Sequence, residues 1–264
     1  QGRDNYQFYS RSMNASALEK LAMESQLRRA LEREELLLHY QPKVDAQTGI
    51  VCGVEALLRW KHPDLGMVPP SQFIPIAEQT GIIVPIGDWV LLQACRQAKS
   101  WIDSGLEPLA VSVNIASPHF RGDLAGSVTR ALELSELDPA LLELEVTESM
   151  LMQDIDANLS TLHTLKSMGV TLSLDDFGTG YSSLNYLKRF PLDTLKIDRS
   201  FVQDLPGDSE DAAITQAIIA MAHLPALPGQ PLYDAAGGMT RIRDVVRRDL
   251  DVLNASAVDG ILFC

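Results

Sequence analysis

"LLELEVTESMLMQDIDANLSTLHTLKSMGVTLSLDD", residues 141–176, sets two short runs of alternating apolar residues on either side of a segment whose apolar residues recur at helical spacing. The runs at 141–148 and 170–176 read as strands, and the stretch around 154–168 reads as a helix. The same alternation continues outward in both directions. Strand-like runs occur at 35–44, 49–60, 109–115 and 194–198, and helical stretches around 85–103, 123–134 and 209–223, with a short helix from Ser182. Strand followed by helix, repeated this often with no internal linker, argues one parallel α/β domain. A closed (β/α)8 barrel and an open doubly wound sheet both satisfy the pattern, and a length of 264 residues favours the barrel. Residues 1–14 are polar and irregular and read as a linker from an upstream domain; an amphipathic helix follows, so the domain is expected to run from 15 to 264. There is no internal sequence repeat and no low-complexity segment.

The chain carries 22 basic and 35 acidic residues, a formal net charge of −13. Such a balance offers no broad basic surface to a nucleic-acid duplex or an anionic membrane, so any anionic ligand must be held locally. Cys52, Cys95 and Cys264 lie far apart with no CxxC pair. That spacing argues against a zinc cluster and a disulfide framework and suits a reducing cytoplasm. No apolar run approaches the roughly 18 residues of a membrane span, and no charged-then-apolar export signal opens the chain. A soluble cytoplasmic domain without a membrane span is the expectation.

Asp175 and Asp176 end one of the strand-like runs and are followed at once by the glycine-containing "FGTGYSSL". An Asp before a turn commonly accepts backbone N–H bonds and caps the next helix, which accounts for one of the two. The other strand ends carry the same character: Glu55 in "GVEALLRW", Asn114 in "LAVSVNI", Glu145 in "LLELEVTE" and Lys196 in "TLKID". In a parallel barrel all six groups point to the C-terminal face, where active sites are built. Two carboxylates about 4 Å apart repel by roughly 4 kcal/mol at an effective dielectric of about 20, so four cannot all stay ionised unaided. Either some are protonated, or Lys196 and bound cations compensate. Oxygen donors from Asp, Glu and Asn select Mg²⁺ or Mn²⁺ over zinc. Two such ions bridged by Asp residues form the arrangement that clamps the attacking and leaving oxygens in phosphoester hydrolysis. Gly178 and Gly180 would then let the backbone turn tightly beside a phosphate or move as a gate. "DFG" also occurs in protein kinases, but no GxGxxG loop, VAIK-like strand or HRD-type loop accompanies it here.

Five motifs in order, "VEALLRW", "SVN", "LELEVTES", "DDFGTGYSSL" and "LKIDRSFV", resemble those of the EAL domain, the bacterial cyclic di-GMP phosphodiesterase family, over about residues 18–223. The resemblance implies a TIM-like (β/α)8 barrel modified by an antiparallel first strand. It also implies two Mg²⁺ or Mn²⁺ ions used to hydrolyse cyclic di-GMP to linear pGpG. On the matching positions it implies metal ligation by Glu55, Asn114, Glu145, Asp175 and Asp176. Catalytic roles fall to Lys196, which would position the attacking water, with Asp176 and Glu145. Gln41, Leu57, Arg59 and Asn114 would contact substrate, with Arg59 facing a phosphate, and Glu148 would tether the loop that holds Gly178 and Gly180. Plainer roles stay open: Arg59 pairing with a surface carboxylate, Glu148 as a helix N-terminal residue, Lys196 as a structural ion-pair partner. The five histidines read as packing or surface groups. The first ten residues resemble the closing strand and exit linker of a GGDEF domain. That resemblance implies an upstream GGDEF or sensory domain in a full-length protein that is membrane-anchored or soluble, with this domain facing the cytoplasm, and it leaves a homodimer open.

Residues 224–264 depart from the family's pattern. There the family continues with an "AEGVE" motif whose first glutamate is a further metal ligand, whereas no glutamate follows Glu210 in this chain. The nearest register sets Ala235, Ala236 and Gly237 against Ala-Glu-Gly, and "DGILFC" against the closing strand. Prolines at 225, 228 and 231 make the preceding segment irregular. Asp234 would share a strand face with Ala236 and is the candidate substitute ligand. Two functions are therefore expected to compete: metal-dependent hydrolysis of cyclic di-GMP, and a degenerate receptor that binds it with little or no turnover.

Overall fold

Apolar and polar residues alternate along the central strands because one face of the sheet packs against helices and the other turns inward. The structure is a computed structural model and describes residues 11–45, 48–178, 189–201 and 261–263. Strand β1 (Leu36–Val44) runs antiparallel to β2 (Val51–His62), with Gln41 opposite Glu55 and Lys43 opposite Gly53. A short β3 (Gly66–Val68) folds back on β2. From β2 the sheet continues in parallel through β4 (Ala110–Asn114), β5 (Leu142–Thr147), β6 (Thr171–Phe177) and β7 (Thr194–Ile197). Beyond the β3 hairpin, neighbours in the sheet follow chain order without the reversal that a doubly wound sheet requires. The architecture is the TIM-like (β/α)8 type with an antiparallel first strand.

Val111, Val113, Leu142, Leu144, Val146, Leu172 and Leu174 are buried in one core with Leu91, Ala94, Val128, Leu162 and Leu165 of the helices. Residues of the opposite parity, Ser112, Glu143, Glu145 and Ser173, are buried as well. Barrel interiors are ordinarily filled by branched apolar side chains, so an interior lined by carboxylates and hydroxyls marks a site.

The helices read in the sequence are found as α3 (Ile83–Asp103), α5 (Leu124–Ser135) and α7 (Ile155–Ser167), after α1 (Arg11–Ala30) and α2 (Pro70–Thr80). Helix α1 begins inside the stretch read as linker, since Arg, Ser and Met there raise no barrier to helix. The prolines of "VPPSQFIPIAEQT" hid α2. Pro70 occupies the first turn, where the missing N–H has no partner to lose, and Gly81 ends the helix at φ 74°. The single turns α4 (Ser117–Phe120) and α6 (Glu148–Leu151) are too short for periodicity to register. The expected helices from Ser182 and at 209–223 lie outside the described residues, as do Gly180 and Asp234.

"DGILFC" does form a strand, β8 (Ile261–Phe263), set against β7 with Leu262 opposite Lys196. The pairing is antiparallel, whereas continuing a parallel ring needs a crossover and a parallel partner. Among the described residues, no pairing runs from β8 back to β1. No described helix is long and apolar enough to cross a membrane.

Candidate active site

In a regular strand Asp175 and Asp176 would point to opposite faces. A bulge in β6 changes that: the register with β7 skips from Leu174–Leu195 to Phe177–Ile197, and Asp176 takes a left-handed backbone at φ 55°. Asp tolerates this conformation better than most residues because its short polar side chain bonds locally. Here the Asp176 N–H donates to Asp175 Oδ1 at 3.0 Å. The strand-end pair is thus built by a bulge.

Lys196 of β7 stands at the centre of the strand-end acids. Its Nζ lies 2.6 Å from Glu145 Oε2, 3.1 Å from Asp175 Oδ2 and 3.7 Å from Glu55 Oε2. Asn114 Nδ2 donates to Glu55 Oε1 at 2.7 Å, which leaves the amide carbonyl as that residue's acceptor. Burial pushes the Glu145 carboxyl up to about 7; Lys196 pulls against it, and Glu55 and Asp175 add to it. Burial alone would lower the Lys196 ammonium, but Glu145, Asp175 and Glu55 outweigh it and hold its pKa above the usual lysine range. Burial, then Asp175 and Asp198, push Asp176 up as well.

Among the described residues, no three His, Cys, Asp or Glu side chains gather around one point open to a metal ion. Lys196 takes the place where Glu55, Glu145 and Asp175 meet. The donor set still fits hard divalent cations: it is all oxygen, it brings four carboxylates around Lys196, and Glu145 Oε1 is buried with no hydrogen-bond partner among the described residues.

Glu55, Leu57 and Arg59 alternate along one face of β2, with Gln41 of β1 beside Glu55. Among the described residues the Arg59 guanidinium makes one hydrogen bond, to the Leu58 carbonyl at 2.9 Å, and no ion pair. Glu148, 2 % exposed, accepts from the Gly178 N–H at 3.1 Å through Oε2. Gly178 sits at φ 103°, and a Cβ there would stand 2.7 Å from the Phe201 ring. The structure therefore brings Glu55, Asn114, Glu145, Asp175, Asp176 and Lys196 to one mouth, with Gln41, Leu57 and Arg59 along one wall and Glu148 under the start of the glycine loop.

A model of the EAL domain matches residues 24–224. The chain belongs to the EAL domain family. It is 54% identical over 222 residues to the bifunctional diguanylate cyclase/cyclic di-GMP phosphodiesterase MucR of Pseudomonas aeruginosa, which covers 84% of this chain and 32% of MucR. It is 49% identical to the cyclic di-GMP phosphodiesterase NbdA of the same organism, over 84% of this chain and 28% of NbdA. The chain thus spans less than a third of the length of these curated relatives. The solved PaMucR phosphodiesterase in complex with c-di-GMP superposes with a TM-score of 0.73 at 53% identity, over 76% of this chain and 82% of that one.

Sequence reasoning missed a second charged layer deeper in this EAL domain. Lys43 Nζ donates to Glu143 and to Ser112, and Ser112 Oγ donates to Glu143 Oε2 at 2.7 Å. The signal was present, because "LELEV" puts Glu143 on the same face as Glu145. The approach of Phe201 to Gly178 had no such signal, since it joins a turn to a short 3-10 helix at Arg199–Phe201. The described histidines are packing or surface groups: His62 and His119 are buried, while His39 and His163 are exposed.

Proposed function

We propose that this EAL domain hydrolyses cyclic di-GMP to linear pGpG with two Mg²⁺ or Mn²⁺ ions. The observation that carries the reading is the convergence of Glu55, Glu145 and Asp175 on Lys196, with one Glu145 oxygen left unbonded. Glu55, Asn114, Glu145, Asp175 and Asp176 would hold the ions, which would neutralise phosphate charge and lower the pKa of a water. Arg59, with most of its donors unused among the described residues, binds a phosphate oxygen of the substrate. Gln41 and Leu57 flank the nucleotide on the same wall. Lys196 would hold the attacking water, and Asp176, the most exposed acid of the group, would accept its proton. Glu148 fixes Gly178, the first glycine after the Asp175–Asp176 pair.

A second reading has a specific observation behind it. No glutamate follows Glu210 in the sequence, so the glutamate ligand that the family pattern places there is missing, and β8 pairs antiparallel. On that reading the domain binds cyclic di-GMP through the same wall and turns it over negligibly. Incubation with cyclic di-GMP and Mn²⁺, followed by chromatography, separates the two. Accumulating pGpG supports the enzyme, saturable binding without product supports the receptor, and the absence of both removes the proposal.

A further inference from the structure

The charged layer beneath Lys196 is a built feature of the barrel interior. Lys43 enters from β1, and its ammonium is shared between Glu143 of β5 and Ser112 of β4. The Lys43 side chain is 10% exposed, Glu143 8% and Ser112 not at all. A cradle receives the lysine stem: a Cβ on Gly53 would stand 3.2 Å from Lys43 Cε and 3.1 Å from the Ala110 carbonyl oxygen. The same ammonium lies 3.9 Å from Glu145 Oε1, the oxygen without a hydrogen bond. Glu145 is therefore approached by two ammonium groups, Lys196 from the mouth and Lys43 from below.

Resting on the cation-binding reading above, we propose that Lys43 is a positioning residue of the site: braced by Glu143 and Ser112, it holds Glu145 from the barrel interior in the place where a divalent cation takes its second oxygen. Glu143 and Glu145 are two residues apart on one strand and both point inward. The Lys43 ammonium, 3.9 Å from Glu145 Oε1, attracts that carboxylate inward, and without it, whether or not Glu143 is kept, Glu145 loses its hold from below and turns toward the mouth. Groups that orient a metal ligand typically govern about 10–100-fold of the metal affinity.

The test is calorimetric titration of Mn²⁺ alone into the nucleotide-free chain, with melting curves in parallel. Lys43→Met by itself strands a buried carboxylate, so the deciding variant pairs it with Glu143→Leu. That combination removes one charge of each sign and leaves an apolar pair, an exchange that buried ion pairs often tolerate. The double variant is expected to melt close to the parent and to bind Mn²⁺ about tenfold or more weakly. Gly53→Ala, which displaces the Lys43 stem and alters no charge, is expected to weaken Mn²⁺ in the same direction by a smaller factor. Unchanged Mn²⁺ affinity in a folded double variant, or in Gly53→Ala should the double variant not fold, overturns the role of Lys43 and leaves the pair as interior filling. If the parent itself binds no Mn²⁺, the proposed function falls and the Lys43 role falls with it.

Discussion

Lys196→Met should destabilise the metal-free protein and do so less when Mn²⁺ is present. Glu145 is 1% exposed, and among the described residues Lys196 is the one hydrogen-bond donor to its carboxylate. The same ammonium lies within 4 Å of Asp175 and Glu55. Removing one member of a buried ion pair costs about 3–5 kcal/mol because it strands the other charge. A domain of this size loses roughly 2–4 °C for each kcal/mol, so a fall on the order of 10 °C is expected in EDTA. The figure is held down by proton uptake: with a carboxyl already raised to about 7, Glu145 escapes part of the penalty by becoming neutral. On the cation-binding reading divalent cations would take over the role of the missing ammonium, and without Lys196 competing for the carboxylates the variant should gain more from Mn²⁺ than the parent does. Saturation at about 100 times the Kd is worth about 2.7 kcal/mol, comparable to the deficit. The assay is a melting curve by circular dichroism for both proteins, in EDTA and in saturating Mn²⁺. Coincident melting in EDTA would show that Lys196 does not balance the acids, and a deficit unchanged by Mn²⁺ would show that the acids do not hold cations in its stead.

His119 is buried beside Asp88, and burial holds its imidazole below the usual 6.5 despite that carboxylate, with Arg130 adding to the depression. The unfolded chain therefore takes up this proton first, so the stabilisation is present above about pH 6.5 and is lost as pH falls; His119→Asn should flatten the acid limb of melting temperature against pH. Gly178→Val places a β-branched residue at φ 103° and its Cβ against the Phe201 ring, which should cost about 1–3 kcal/mol in denaturant unfolding and raise the KM for cyclic di-GMP. Adding Phe201→Ala should recover only the steric part, and full recovery would contradict the backbone argument. Ala236→Glu should raise pGpG formation by roughly a hundredfold if that position faces the metals, while Asp234→Ala should abolish activity only if Asp234 has taken the lost role. An unaltered rate in both variants would refute the alignment of the tail.

The parallel strands were legible because helices cover one face and force apolar residues onto alternate positions, as in "LELEV" and "TLSLD". The six strand-end groups were legible for a related reason: a parallel sheet carries all its C-terminal ends to one side. The first strand's direction could not be read from periodicity, since Leu36–Val44 alternates equally well in either orientation, and it came from the family resemblance. Helix α2 was obscured because proline at a first helical turn looks like a breaker until the turn is placed. The β6 bulge was also hidden. Sequence shows two adjacent acids, but only the skipped register and the left-handed Asp176 show how both reach one mouth.

The two layers of the interior explain how so many acids can share one barrel. Glu143 is neutralised by Lys43, with Ser112 donating a hydrogen bond, deep in the barrel, and Glu145 by Lys196 above it, so these two buried carboxylates each have an ammonium within ion-pair distance. Glu55, Asp175 and Asp176 are partly or more fully exposed, where water screens them in the absence of metal. The uncompensated charge is thereby concentrated at the mouth, beside Arg59, rather than distributed through the core. On the cation-binding reading, cations would draw Glu55, Glu145 and Asp175 off Lys196 while the Lys43–Glu143 pair below stays in place, and an anionic phosphate would follow because those cations reverse the local sign. On this arrangement the Lys43–Glu143 pair serves stability and position, Lys196 balances the acids of the mouth, and Glu145, 3.9 Å from Lys43 and 2.6 Å from Lys196, couples the two layers, so a change in the lower one should be felt in the upper.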